Sequence, residues 1–142
     1  MLAFLLFIGK GWAGELTVIE GYAPRSLTPT ASSAAVYFTI SNTGVADRII
    51  AISTPAAKQA MIHESKIVDD IATMAMLDAI EMPSGGTITM SQGGLHVMLT
   101  GLKAPLLEGE SLKLEVTFEK AGVLKIEVPI TGLKGPTAGN TP

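Results

Sequence analysis

The sequence predicts an all-β domain, a sandwich or barrel of about eight or nine short strands. Two observations predict it: apolar and polar residues alternate in short runs, and Gly, Pro and Asn turn signals separate these runs without a helical period between them. The chain has 142 residues, of which 47% are hydrophobic and 16% charged. This is enough for one domain with a real core and too little for two ordinary domains.

The first predicted strand covers residues 16–20, and the Gly- and Pro-containing residues 21–25 are expected to form a loop. The second strand covers residues 34–40, whose alternate positions are apolar. The turn signal at residues 41–44 connects it to a third strand at residues 47–53. The first half of the domain is therefore expected to be a set of antiparallel strands.

Four further strands are predicted in the middle of the chain. Residues 59–64 and 72–78 form two of them, joined by the polar connection 65–70. Residues 87–90 and 95–99 form the other two, on either side of a Gly-rich turn. These strands carry most of the residues with metal-binding chemistry.

The last two predicted strands, residues 112–118 and 124–130, alternate apolar residues with Lys, Glu and Thr. Each is expected to bury one face and expose the other. We predict that the domain covers residues 14–132 and that a disordered tail follows at residues 133–142.

The N-terminal residues 1–13 are predicted to be a signal peptide rather than an ordinary first strand. Residues 2–8 form an apolar run, and small residues at Gly11 and Ala13 suit cleavage after Ala13. No Lys or Arg precedes the run, so the peptide is expected to be truncated, and the run is too short to span a membrane. We expect a periplasmic protein without a stable membrane span, with membrane attachment through an uncleaved N-terminus as the alternative.

The composition excludes several classes of function. The net charge of −3 and the dispersed Lys and Arg residues do not provide a nucleic-acid-binding surface. The chain has no cysteine, which excludes disulfides, thiolate nucleophiles, zinc fingers, iron–sulfur clusters and the thiolate ligand of a blue-copper site.

Residues 61–98 contain both histidines and six of the seven methionines. Alternate residues of a strand point to the same face, so three of the predicted strands each present a pair of soft donors on one face. These pairs are Met61 with His63, Met74 with Met76, and His96 with Met98. Thioether sulfur binds Cu(I) well and competes poorly for zinc, magnesium or calcium. The hypothesis is a soft-metal site, whereas Met82 and Met90 are expected to be ordinary core residues.

The spacing of four of these residues resembles a known family. Ten residues separate His63 from Met74, twenty-one separate Met74 from His96, and His96 and Met98 form a His-x-Met motif. The pattern H-x10-M-x21-H-x-M is similar to the signature of the periplasmic PCu(A)C copper chaperones. Residues 35–44 (AVYFTISNTG) and 93–99 (GGLHVML) also resemble segments of that family, and the resemblance covers roughly residues 16–130.

The resemblance implies a cupredoxin-like Greek-key β-sandwich or barrel that carries copper and is not an enzyme. It implies one Cu(I) bound by His63, Met74, His96 and Met98. The cargo would pass to a copper-accepting protein, such as the binuclear copper site of cytochrome c oxidase or another copper chaperone. Relatives often have another residue, such as Pro, at position 76, so Met76 is a possible competitor of Met74. The chain lacks the His- and Met-rich C-terminal extension of some relatives, which predicts a single site.

Two other functions are compatible with parts of the sequence. A hydrolase would combine a histidine with a nearby Asp and a serine, but the G-x-S-x-G nucleophile motif is absent from the sequence. A binding module of the immunoglobulin-like or carbohydrate-binding kind would use the His and Met residues only as core. The copper carrier and the binding module are distinguished by whether the four predicted ligands come within reach of one ion.

Overall fold

The computed structural model describes residues 16–135, which form ten β-strands and contain no helix. The strands are β1 (Leu16–Pro24), β2 (Ser33–Asn42), β3 (Asp47–Ser53), β4 (Ala57–Val68), β5 (Ile71–Leu77), β6 (Ile80–Met82), β7 (Thr87–Thr89), β8 (Leu95–Leu102), β9 (Ser111–Phe118) and β10 (Gly122–Thr131). The predicted all-β fold class is confirmed. The predicted signal peptide at residues 1–13 and the tail from residue 136 onward lie outside the described residues, and the boundaries at 14 and 132 stay predictions.

The strands pair in the order β5-β4-β8-β2-β1-β10-β9-β3-β6, and β7 pairs with the C-terminal half of β2. The pairs are antiparallel except for β1 and β10, which run parallel where Ala23 lies opposite Ile130 and Pro24 lies opposite Thr131. This short parallel contact joins two layers, one built around β4, β8 and β2 and the other around β10, β9 and β3. The chain crosses between the layers after β2, β3, β5, β6 and β8.

The core lies between the two layers and is formed by alternate residues of the central strands. The largest side chains that are less than 2% exposed include Phe38, Phe118, Ile40, Ile49, Leu99, Leu114, Val36, Val97 and Val116. Met82 and Met90 are 0% and 4% exposed, so their prediction as core residues is confirmed. Burying such side chains stabilises the fold by about 25 cal/mol per Å² of apolar surface removed from water.

The prediction that residues 21–25 form a loop is wrong, because β1 continues to Pro24. Gly21 lies where a Cβ would be 2.7 Å from Cγ1 of Val128 and 3.0 Å from Cβ of Phe38. The glycine is therefore explained by a close approach of packed strands and not by a turn. A register shift between Val18 and Glu20 also marks a bulge in this strand, which hides the alternation in the sequence.

The predicted connection at residues 65–70 is also wrong, because β4 continues to Val68 and β5 begins at Ile71. The two strands are joined by Asp69 and Asp70, which have positive φ angles of 53° and 66°. Such angles are typical of a type I′ hairpin turn, and Asp tolerates them better than most residues do. The polar residues belong to the strands because the hairpin extends beyond β8, whose pairing with β4 ends at Glu64 and Leu95.

The short strand β6 was not predicted, because three residues are too few to show an alternating pattern. It pairs with β3 and closes the edge of the second layer. The strands predicted at residues 34–40, 95–99, 112–118 and 124–130 are present and slightly longer than predicted.

Candidate metal centre

Three neighbouring strands bring the histidines and methionines to one face of the sheet. His96 of β8 lies opposite His63 of β4, and Met98 lies opposite Met61 in the same ladder. On the other side of β4, His63 lies opposite Met76 of β5. Directly opposite residues of an antiparallel pair have Cβ atoms about 4.5–5.5 Å apart and point to the same side. The donor pairs predicted from the sequence therefore form one cluster.

This cluster lies on the face of the sheet that points away from the core. Ile62 and Val97, which lie opposite each other in the β4–β8 ladder, are 4% and 0% exposed and point into the space between the layers. Residues on either side of them in sequence point the opposite way. His63, His96 and Met98 consequently point away from the space between the layers, and His63 and Met98 are partly exposed on that outer face.

Met74 is paired with Ser65, two residue pairs closer to the hairpin turn than the pair of His63 and Met76. Its Sδ atom is 3.2 Å from Nδ1 of His63. Two donors that bind the same ion through bonds of about 2.0 Å (nitrogen) and 2.3 Å (sulfur) are separated by roughly 3.0–3.7 Å. The separation of these two atoms is therefore compatible with a shared ion.

The two histidine rings lie edge to face, with centroids 5.7 Å apart and planes inclined by 74°. An imidazole centroid lies about 3.1 Å from an ion bound at about 2.0 Å by one of its nitrogens, so two rings on one ion have centroids roughly 5–6 Å apart. The rings are thus at a separation that allows both to bind one ion.

His96 is 5% exposed and is held by the backbone. Its Nδ1 atom lies 3.1 Å from the carbonyl oxygen of Gly94, which also accepts a hydrogen bond from the backbone N–H of Ser65 at 3.1 Å. A carbonyl can only accept, so Nδ1 carries the hydrogen and the neutral ring keeps a lone pair on Nε2. A hydrogen bond on one ring nitrogen that leaves the other free is the usual arrangement of metal-binding histidines.

Tyr37 of β2 packs beside His96, with ring centroids 6.2 Å apart, and Tyr22 lies 5.1 Å from Tyr37 on the other side. Burial raises the pKa of Tyr37 above its ordinary value, and the neighbouring Tyr22 adds to the rise. The phenol therefore stays neutral at physiological pH and does not supply a hard anionic ligand. Sequence reasoning missed Tyr37 and Gly94, although both lie in segments that resemble the copper chaperones.

Exposure increases across the cluster from β8 to β5. His96 is buried, His63, Met61 and Met98 are half-buried, and Met74 and Met76 are 54% and 63% exposed. Within residues 16–135, three or more His, Cys, Asp or Glu side chains do not come together as a metal-binding group. The donors that do come together are two imidazoles and several thioethers, which is a set suited to a soft cation.

The fold and this cluster define a β-sandwich with a soft-donor site on the outer face of one layer. Residues 16–130 match the family model described as "Putative lipoprotein LpqE-like", and the chain belongs to this family. A protein of Leifsonia xyli subsp. xyli, also described as a "Putative lipoprotein", is 29% identical over 103 residues, which are 71% of this chain and 62% of that relative. The chain thus spans less than two thirds of the length of that relative.

Solved structures of PCuAC domains are similar to this chain. The apo PCuAC domain from PmoF1 is 26% identical, with a TM-score of 0.69, and the match covers 84% of this chain and 95% of that domain. The solution structure of CuI-DR1885 from Deinococcus radiodurans is 27% identical, with a TM-score of 0.61, and the match covers 87% of this chain and 84% of that protein. The copper-bound PCuAC domain from PmoF2 shares the fold. It is 22% identical, with a TM-score of 0.70, and the match covers 84% of this chain and 94% of that domain. The resemblance to the PCu(A)C copper chaperones and the cupredoxin-like fold are confirmed.

Across residues 16–135, helices of a length and apolarity sufficient to cross a bilayer are not found.

Proposed function

We propose that this protein is a copper carrier that binds one Cu(I) through His63, Met74, His96 and Met98 and delivers it to a copper-accepting protein. The observation that carries the proposal is the 3.2 Å approach of His63 Nδ1 to Met74 Sδ, next to the second histidine ring at 5.7 Å. The β4–β5 hairpin brings these two donor atoms to a separation suited to one ion. The copper-bound relatives among the solved structures support the choice of metal.

The chemistry of the donors favours the cuprous state. The four side chains are neutral, so they do not stabilise a higher charge on the ion, and thioethers prefer soft Cu(I) over zinc, magnesium or calcium. Cysteine is absent from the sequence, and blue-copper electron transfer requires a thiolate ligand. We therefore assign the site to transport, and propose no catalysed reaction.

The position of the site suits transfer between proteins. The ligands lie on an outer face, and one of them, Met74, is more than half exposed. An acceptor can replace such a ligand without unfolding of the domain. The acceptor class we propose is a copper-binding protein such as the binuclear copper site of cytochrome c oxidase, or another copper chaperone. Periplasmic localisation is part of the proposal and is supported by the lipoprotein descriptions of the family and its relative.

The alternative of a metal-free binding module requires the His and Met residues to be core. Met82 and Met90 meet that requirement, but Met74 and Met76 do not, because more than half of each side chain is in solvent. The exposure of these thioethers on the histidine face favours the carrier function.

The proposal predicts a stoichiometry of one Cu(I) per chain in an anaerobic titration against a chromophoric Cu(I) chelator. His63→Ala and Met98→Ala should each weaken binding by about 100-fold, since each removes a ligand of the ion. Ile67→Ala is the matched control, because Ile67 is 76% exposed and lies on the same face of the β4–β5 hairpin. An affinity that stays at the wild-type value in both ligand variants would contradict the proposal.

A further inference from the structure

Met76 is, with Met61, one of two soft donors of the cluster that are not among the four proposed ligands. It lies directly opposite His63 in the β4–β5 ladder, whereas Met74 lies opposite Ser65 and reaches His63 diagonally. The register therefore places Met76 in the same row as the two histidines. Four donors already complete the coordination of a Cu(I) ion, which leaves Met76 without a role in the resting site.

The two methionines of β5 can reach the same ion. Residues two apart in a strand are about 6.7 Å apart along the chain and point to the same face. Each methionine side chain has three rotatable bonds, and the sulfur can cover several ångströms. Because Met76 lies directly opposite His63 and Met74 lies diagonally from it on the same face, either sulfur can approach an ion held by the His63 ring.

Packing does not explain Met76. Its side chain is 63% exposed, so it contributes little to the core. Ile71, another exposed apolar residue of β5, is 64% exposed and lies on the opposite face of the hairpin. Both sulfur atoms of this strand are thus on the histidine face, while the exposed isoleucine is on the other.

We propose that Met76 is an exchange ligand of the copper site, which binds Cu(I) in place of Met74 while the ion arrives or leaves. This inference rests on the proposed copper-carrier function. In the exchange, a Cu–S bond to Met76 forms and the Cu–S bond to Met74 breaks. Both thioethers are neutral and the copper remains Cu(I), so neither a proton nor an electron moves. His63, His96 and Met98 hold the ion throughout, and the ion keeps four ligands until a ligand of the acceptor displaces Met76.

The exchange can be observed in the full chain labelled with ¹³C at the methionine methyl groups. Addition of one equivalent of Cu(I) under anaerobic conditions should shift the methyl signals of Met74, Met76 and Met98. The signals of Met82 and Met90 are internal references, since these buried core residues lie apart from the ligand rows. In Met74→Leu the shift of Met76 should increase, and the chain should still bind one Cu(I) about tenfold more weakly.

Affinity measurements provide the second half of the test. Met76→Leu alone should change the affinity by less than about threefold, whereas Met74→Leu combined with Met76→Leu should cost about tenfold more than Met74→Leu alone. Met74→Leu combined with Ile71→Leu is the matched control and should behave like Met74→Leu. All these positions are exposed, so the substitutions leave the fold intact.

The outcomes separate this inference from the proposed function. If the Met98 signal shifts on Cu(I) addition but the Met76 signal does not move in either the wild type or Met74→Leu, the exchange role is wrong and the copper carrier stands. A double variant that binds as well as Met74→Leu would lead to the same conclusion. If none of the methionine signals shifts and copper does not bind, both the carrier function and the exchange role are wrong.

Discussion

The two ends of the proposed copper site are built differently. At one end, β8 lies between β2 and β4, and His96 is 5% exposed with Nδ1 directed at the carbonyl of Gly94. At the other end, β5 is an edge strand with a single neighbour, and Met74 and Met76 are 54% and 63% exposed. A fixed imidazole loses little freedom on binding an ion, whereas an exposed thioether must be ordered. We infer that β8 retains the copper and β5 exchanges it.

The backbone of the β5 end is also less well supported than that of the β8 end. The β4–β8 ladder ends at Glu64 and Leu95, and after the hydrogen bond from Ser65 to Gly94 the β4–β5 hairpin extends beyond β8. Regions with few buried contacts and exposed backbone hydrogen bonds open at low free-energy cost. An acceptor protein is therefore expected to engage the β5 end first.

The largest effect is expected for His96→Ala, which removes the fixed ligand. Cu(I) affinity should fall by at least about 100-fold, whereas Met74→Leu at the exchanging end should cost only about tenfold. Chelator competition measures both affinities, and circular dichroism checks that the variants are folded. Equal losses of Cu(I) affinity in the two variants would contradict a fixed ligand on β8 and an exchanging ligand on β5.

Acidification should have an intermediate effect. A metal-bound imidazole must be neutral, so protons compete with copper for the ring nitrogens as the pH falls. Affinity should decrease between pH 7 and pH 5. Cu(I) competition at several pH values measures this, and His63→Ala should show a shallower dependence because one competing site has been removed. An affinity that stays constant over this range would be inconsistent with histidine ligation.

The smallest effect is expected for Tyr37→Phe, which changes the pH dependence of stability at the buried end of the site. Tyr37 lies in β2, beside His96 of β8. Burial raises the pKa of Tyr37, and Tyr22 adds to the rise, so the folded protein holds the phenol proton more tightly than the unfolded chain does. The contribution of this group to stability is complete below about pH 10 and is lost as the pH rises through the folded-state pKa. Urea unfolding at pH 9 and pH 11 should show a smaller loss of stability for Tyr37→Phe than for the wild type, and equal losses would contradict this assignment.

The sequence predicted the fold class and most strands, because two-residue alternation is a direct consequence of one buried and one exposed face. The prediction is wrong at Gly21, where the glycine permits close packing and does not form a turn. It is also wrong at residues 65–70, because polar residues there belong to strands. In both cases the reason is a tertiary feature. Gly21 approaches another strand, and the hairpin extends beyond the sheet.

The proposed ligands were named from spacing and resemblance, and the structure places them on neighbouring strands of one face. The gradient of exposure from His96 to Met76 could not be predicted, since it depends on which strand is central and which is at the edge. The hydrogen bond from His96 to Gly94 was likewise invisible, because a backbone carbonyl has no residue-specific signal in the sequence.

X-ray absorption at the copper K edge, on the full chain loaded anaerobically with Cu(I), tests the central claim most directly. We predict a cuprous edge and a first shell that contains both nitrogen and sulfur, with nitrogen near 2.0 Å and sulfur near 2.3 Å from a single ion. The sulfur contribution should decrease in Met98→Ala and the nitrogen contribution in His96→Ala. A first shell without sulfur, or one that is the same in both variants, would contradict binding by the histidines and methionines on this face.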